Sequence, residues 1–301
     1  MELVPQTLVV VYDSALALAT SCTNAHYELM SDALLYREFP VPPPLRSYVR
    51  CLWRMSGDAG AGPPEPIIPD GCAELIINLG NAFIHHLASG SYHQPRWLVA
   101  GQITRAITIA PSGHVELWGV RFQPWGAAPL LDFAGVEMQD RLTSLDSVTN
   151  SLDRDLVAVA DCESESTQHD TLISVLTRHV AGARRVDSRM PRLMALASSR
   201  AESFTVRGLA GEAGLSIRRV QGLFRDDVGL SPKQLHRIVR FQRALALRRQ
   251  HPRRTWSGIA SSAGYYDQAH LIHDAHGIAG CTPAELVSGE ARDLTDAFLS
   301  G

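Results

Sequence analysis

The chain has 301 residues, 45% of them hydrophobic and 20% charged, with a formal net charge of −3. That composition suits two globular domains with cores of their own and excludes a disordered or low-complexity polypeptide. Five scattered cysteines (Cys22, Cys51, Cys72, Cys162, Cys281) form no C-x2-C pair, and no uncharged apolar run is long enough to span a bilayer, which excludes a disulfide scaffold and a transmembrane helix and suits free thiols in a reducing cytoplasm.

Leu8–Ala19 is mostly apolar and is followed by small residues near Ser21-Cys22, the outline of a signal peptide. No Lys or Arg precedes it, Glu2 does, and Asp13 interrupts it, so that outline fails. Residues 1–33 are expected to be an extension, disordered or arising from a start set upstream of Met30.

From Leu34 to about residue 140, short apolar runs separated by Gly, Pro and Asn predict strands. They are Val49–Met55, Ala73–Leu79, Ala82–Leu87, Trp97–Ala100, Ile107–Ala110 and Glu116–Phe122. Gly80-Asn81 between two of them reads as a tight hairpin turn, and Pro111-Ser112-Gly113-His114 as another turn. Short antiparallel strands at this spacing predict a small sandwich or barrel able to enclose a ligand.

After Phe122-Gln123-Pro124-Trp125-Gly126 the pattern turns helical, with amphipathic stretches at Leu130-Leu131, Leu142–Leu156 and Leu172–Val180. Residues 141–188 thus form a helical connector. Leu172, Leu176 and Val180 either contact a second copy of the chain or pack on the β domain.

Between Val206 and Leu286 the sequence repeats itself. Leu209-Ala210, Ala213-Gly214, Ser216, Val220, Phe224, Gly229 and Ser231-Pro232 are echoed by Ile259-Ala260, Ala263-Gly264, Asp267, Leu271, Ala275, Gly280 and Thr282-Pro283. Alanines allow close helix approach, the glycines end helices in the left-handed region, and Ser216 and Asp267 are N-caps. Each copy has the spacing of a helix-turn-helix, whose second helix can enter a DNA major groove. Charge agrees: residues 189–290 carry 15 basic and 8 acidic side chains, whereas residues 1–188 carry 12 and 21. A basic module joined to an acidic one is the expected footprint of a protein that meets phosphates with one half only.

Residues 189–290 resemble the double helix-turn-helix domain of AraC/XylS-type transcriptional regulators. The likeness lies in Ser216…Phe224…Gly229-Leu230-Ser231-Pro232, Arg240…Ala244…Leu247 and Gly264-Tyr265-Tyr266-Asp267-Gln268…Gly280-Cys281-Thr282-Pro283. The stretches Cys51-Leu52-Trp53, Ile68–Asn78, Ala100-Gly101-Gln102 and Gly119–Pro124 are similar to the N-terminal domain of one branch of that family, β-rich and cupin-like. The fold class implied is α+β: an antiparallel sandwich or barrel over residues 34–140, the connector, an all-α DNA-binding domain over 189–290 and a tail over 291–301.

The first recognition helix is expected over about Ile217–Asp226, with Val220, Leu223 and Phe224 inward. That leaves Arg218 and Gln221 on one outer face, where arginine pairs with guanine and glutamine with adenine. Arg219 and Arg225 are placed for phosphates, and Ser216, Ile217 and Gly222 complete the surface. In the second helix, about Gln268–Gly277, the DNA-facing set is Gln268, Ala269, His270, Ile272 and His273. The resemblance puts arginine at the position of His273 and phenylalanine at that of Ala275, so the second copy departs from the family pattern. It is expected to hold phosphates more than it reads bases, with a thinner core. The connecting helix starts at Ser231-Pro232 and runs to about Gln250; Arg237, Arg240, Arg243, Arg248 and Arg249 decorate the faces away from Leu235, Val239, Gln242 and Ala246.

Other candidates carry bland readings. His85 and His86 are adjacent in a strand and point to opposite faces, and neither they nor His93 and His114 make a metal motif. Cys72 reads as structural, and Asp70 with Glu74 as a turn aspartate and a strand-start glutamate rather than a catalytic pair. Trp53, Trp97 and Trp118 line an effector pocket or fill the core. No P-loop, dinucleotide fingerprint, H-E-x-x-H or G-x-S-x-G is present, so neither a cofactor nor a metal is expected. The sequence therefore predicts a cytoplasmic, sequence-specific DNA-binding regulator. Its implied partners are double-stranded DNA, a small-molecule effector, RNA polymerase and a second copy of the chain, with no membrane. The competing readings are an enzyme built on the cupin-like domain and a non-specific nucleic-acid binder.

Overall fold

The computed structural model describes residues 28–30, 34–198 and 204–288. The N-terminal domain contains two antiparallel sheets. Seven strands pair in the order β1 (Glu28–Met30), β2 (Leu34–Phe39), β3 (Val49–Ala61), β10 (Ser112–Phe122), β5 (Glu74–Asn78), β8 (Trp97–Ala100) and β11 (Leu142–Ser144). Four pair in the order β4 (Glu65–Ile67), β9 (Ile107–Ala110), β6 (Ile84–Leu87) and β7 (Gly90–His93). The α+β class with an antiparallel β domain ahead of an all-α domain is therefore as the sequence predicts, and the strands form two open sheets rather than one closed barrel.

Period-2 alternation in β10 explains why both faces of the large sheet are covered. Trp118, Val120 and Phe122 share one core with Leu52, Leu75 and Ile77 and with Leu172, Val175 and Leu176 of α4 (Glu165–Gly182). Val115 and Leu117 face the other way, toward Trp53, Met55, Phe83 and Ile109 between the two sheets. Glycine is required at 119, because a Cβ there would lie 1.8 Å from Trp53 Cε2.

Three expectations change. Gly80-Asn81 does not close a hairpin: β5 and β6 belong to different sheets, and the turn is held by Gly80 N and Leu79 N donating to Glu116 O. The hairpin of that region is β6–β7, joined through Ala88-Ser89. Leu142–Leu156 is not a continuous helix, since Leu142–Ser144 pairs with β8, Leu145–Ser147 makes a single 3-10 turn, and α-helix begins only at Asn150 (α2, Asn150–Asp155, followed by α3, Val157–Ala160). Its apolar residues alternate too briefly for a period to be read. Finally, Leu172 and Leu176 are buried within the chain and Val180 packs beside them, so these three side chains cover the large sheet and are not offered to a second copy. Of the N-terminal extension, residues 1–27 and 31–33 lie outside the described residues, as does the 291–301 tail, while β1 pairs with Leu35–Arg37.

The C-terminal domain is helical: α5 (Met190–Ala197), α6 (Val206–Glu212), α7 (Ile217–Leu223), α8 (Pro232–Gln250), α9 (Trp256–Ala263), α10 (Gln268–Ala279) and α11 (Pro283–Ser288). Helix α8 begins and ends where the sequence places it. Ser231 Oγ accepts from Gln234 N (3.2 Å), Gln234 Oε1 accepts from Ser231 N (2.8 Å), and Pro232 occupies the first turn. Its N-terminal half contributes Leu235, Ile238 and Val239 to the core of the first repeat, with Val220, Leu223 and Phe224. Its C-terminal half contributes Phe241, Ala244 and Leu245 to the second, with Ile259, Leu271, Ala275 and Ile278. At 19 residues α8 is roughly 28 Å long. Two residues depart from the domain boundary: Trp125, just before α1 (Ala127–Leu131), joins the first helical core and Ile68 the second, although both belong to the β-rich half.

Candidate DNA-reading surface

Both turns have the chemistry the repeat requires. Gly214 and Gly264 adopt φ +65° and +88°, and Gly229 and Gly280 +84° and +77°, where a side chain would be strained. Ser216 Oγ accepts from Arg219 N (3.2 Å), and Asp267 Oδ1 accepts from His270 N (2.7 Å). The anchors Val220, Leu223 and Phe224 are buried, which turns Ile217, Arg218, Arg219, Gln221 and Arg225 outward beside exposed Ser216. Gly222 is half-buried, and space is open where its Cβ would be. The helix is shorter than expected, and its last turn widens to π geometry over Phe224–Val228.

Two arginines of this helix already have partners. Arg219 Nη2 lies 3.0 Å from Asp187 Oδ2, and Arg225 Nε lies 2.8 Å from Asp226 Oδ1. Asp187 also receives Arg189 through Nε (2.8 Å) and Nη2 (2.6 Å). These donors, Arg189 foremost, hold the Asp187 carboxyl far below the usual carboxylate range. Beside the helix runs a groove of about 470 Å³, bounded by Gln221, Arg225, Ser231 and Lys233 and, from the β-rich half, by Val136 and Gln139.

In the second repeat Gln268, Ala269 and His273 are exposed, while His270 and Ile272 are half-buried. His270 turns back toward α8: its Nε2 lies 3.1 Å from Arg240 Nη2, and its ring meets Tyr265 edge-on. Arg240 stacks over Tyr265 at 4.1 Å and shares Asp274 (2.7 Å) with Arg237 (2.6 Å). Arg243 is buried and donates to Ser198 O (2.7 Å). Arg237, Arg240 and Arg243 thus bind the helices together rather than decorating a surface. The Ala275 core is not bare of aromatics, because Tyr265 and Phe241 are buried in it. Tyr266 is 94% exposed immediately before the Asp267 cap; the extra residue in the second turn was the signal for it.

The three tryptophans do not share one cavity. Trp97 and Trp118 flank Ile77 in register on the face covered by α4, and Trp118 Nε1 donates to Gln168 Oε1 (2.8 Å). Trp53 points to the opposite face and donates from Nε1 to Glu74 Oε1 (3.2 Å). Glu74 also accepts from buried Arg121 (2.9 Å), which lies 3.6 Å from Asp70. Burial pushes the Glu74 carboxyl up against these partners and pushes the Cys72 thiol up to about 12. His85 bonds Tyr92 (2.7 Å) and His86 bonds Ser91 (2.9 Å), on opposite faces of β6.

Two capped helix-turn-helices joined by one rigid helix define a DNA-binding protein. Residues 209–288 match a helix-turn-helix domain family, and residues 37–144 match a domain of unknown function, DUF6597. The C-terminal match is an AraC-type helix-turn-helix domain, and the chain is a DNA-binding transcription regulator. No curated protein matches the chain. Among solved structures it is similar to ToxT from Vibrio cholerae, at 9% identity and TM-score 0.44, covering 78% of this chain and 97% of that one. Unsaturated fatty acid-bound ToxT aligns at 8% identity and TM-score 0.44, covering 87% and 99%. The AraC-like transcriptional activator CuxR aligns at 13% identity and TM-score 0.26, covering 64% and 73%. Among the described residues no helix is long and apolar enough to cross a membrane.

Proposed function

We propose that α7 reads bases through Arg218 and Gln221, and that α10 anchors the protein through phosphates more than it reads bases. The carrying observation is that Arg218 and Gln221 stand exposed on one face of α7 while every apolar residue between Val220 and Phe224 is buried. Arg219 and Arg225 flank them toward the phosphates, with Ser216, Ile217 and Gly222 closing the approach. In α10, Gln268, Ala269 and His273 face outward, and His270 and Ile272 support them from the rim.

The reading extends to a cytoplasmic regulator without enzymatic activity, whose β domain takes a small-molecule effector and which meets RNA polymerase and a second copy of itself at promoters. Cys51, Cys72, Cys162 and Cys281 form no disulfide among the described residues, which suits that compartment. Asp70 and Glu74, the carboxylates a hydrolase would use, are engaged by Arg121. Selection of duplexes bound by the purified chain tests the DNA-reading assignment. Arg218→Ala should erase base preference at its position, a loss of about 1–3 kcal/mol of discrimination, whereas His273→Ala should mainly lower affinity. Equal loss of specificity in both variants would refute the division of labour.

A further inference from the structure

The β-rich half is fastened to the DNA-binding half at three places along α8 and its two modules. At the first module, Gly135 packs backbone to backbone on Gly229; a Cβ on Gly135 would lie 2.5 Å from Gly229 N. Arg184 Nη1 reaches buried Asp227 (2.5 Å) beside that contact. In the middle, buried Gln242 donates from Nε2 to Pro69 O (2.6 Å), Ile68 joins the Phe241–Ala244–Leu245 core, and Gly71 meets Leu235. At the second module, Ala106 N donates to Ile278 O (2.7 Å), in the last turn of the recognition helix α10.

The middle fastening is itself held from within the β domain. Asp70 Oδ1 accepts from Cys72 N (2.9 Å) and Oδ2 faces Arg121, while buried Gln102 donates from Nε2 to Gly71 O (2.8 Å) and Pro124 O (3.2 Å). Gly71 is at φ +84°, a conformation glycine takes without strain. The Pro69-Asp70-Gly71 turn therefore transfers the position of the inter-sheet charge cluster to the face of α8 that bears Gln242 and Leu235.

We propose that the β-rich domain is a splint that sets the spacing and relative orientation of the two recognition helices, with Gln242 and the Ile68–Cys72 turn as its positioning residues. A helix of roughly 28 Å held only by two small cores can rock at its ends. Fastening Gly229, Gln242 and Ile278 to one body removes that freedom, so the distance between half-sites becomes a property of the whole chain.

This rests on the DNA-reading assignment, and the test separates the two. The full chain is titrated with three selected duplexes: both half-sites at the selected spacing, both with one or two base pairs inserted, and the first half-site alone. The wild-type chain is expected to prefer the selected spacing by about tenfold. Gln242→Leu and Ala106→Pro each remove one donor at the interface, and each should cut that preference to about threefold or less while first-half-site affinity changes by less than about twofold. An unchanged spacing preference in both variants would show that α8 alone sets the geometry and overturn the splint. A parallel loss of first-half-site affinity would also overturn it, because the contacts would then only hold the fold. Absence of any base preference in the wild-type chain would instead refute the DNA-reading assignment on which the splint depends.

Discussion

Arg219 illustrates how a single side chain can be shared between folding and function. Its position on the rim of α7 suits a phosphate, yet in the free protein it is held by Asp187 of the connector. DNA must compete with that carboxylate. Replacing Asp187 with Ala releases the guanidinium for one additional phosphate contact, so the slope of log affinity against log salt should steepen by about 0.9. Titrations across a salt series measure this directly, and an unaltered slope would mean that Arg219 does not reach the duplex. Nothing in the sequence announced Asp187, because its far partner Arg219 lies across two helices and a turn.

At the scale of elements, the two recognition helices are secured differently. Helix α7 is held by apolar anchors, whereas α10 leans on the charged knot of Asp274 with Arg237 and Arg240. Asp274 is buried, so Asp274→Ala strands two cations against a core and should cost about 2–3 kcal/mol, discounted for the partial exposure of the arginines. Urea unfolding reads the loss, and a change below about 0.5 kcal/mol would show the knot to be incidental. Helix α5 is tied to α8 by His236, whose Nδ1 lies 2.8 Å from Ala197 O and whose ring stacks on Phe204 at 4.3 Å. Burial first, then the charges of Arg240 and Arg243, lower its pKa from 6.5. The unfolded chain then binds the proton more readily than the folded one, so this stability is present above 6.5 and is lost as pH falls through the folded pKa. The urea midpoint should drop between pH 7.5 and about 5.5, and less so in His236→Gln; equal drops would assign the effect to other groups.

For the whole molecule, the sharing of cores across the domain boundary has a thermodynamic consequence. Trp125 sits in the first helical core, with its Nε1 donating to Ser47 O (3.0 Å), and Ile68 sits in the second. Neither half can melt without exposing apolar surface of the other. Calorimetry should therefore show one transition with calorimetric and van't Hoff enthalpies in a ratio of about 1; two resolved transitions would refute the coupling.

The doubled motif, its caps, its left-handed glycines and the full extent of α8 were legible in the sequence, because each depends on neighbours within one or two helical turns. So were six of the strands and the basic-versus-acidic division of the chain. What tertiary structure alone decided was pairing over distance. It separated β5 from β6 into different sheets, turned Leu172 and Leu176 onto the large sheet, and put Trp53 on the face opposite Trp97 and Trp118. It also fixed Pro69 on Gln242, 173 residues away. Local propensity and charge are written residue by residue, whereas which buried face meets which is chosen only when the whole chain packs.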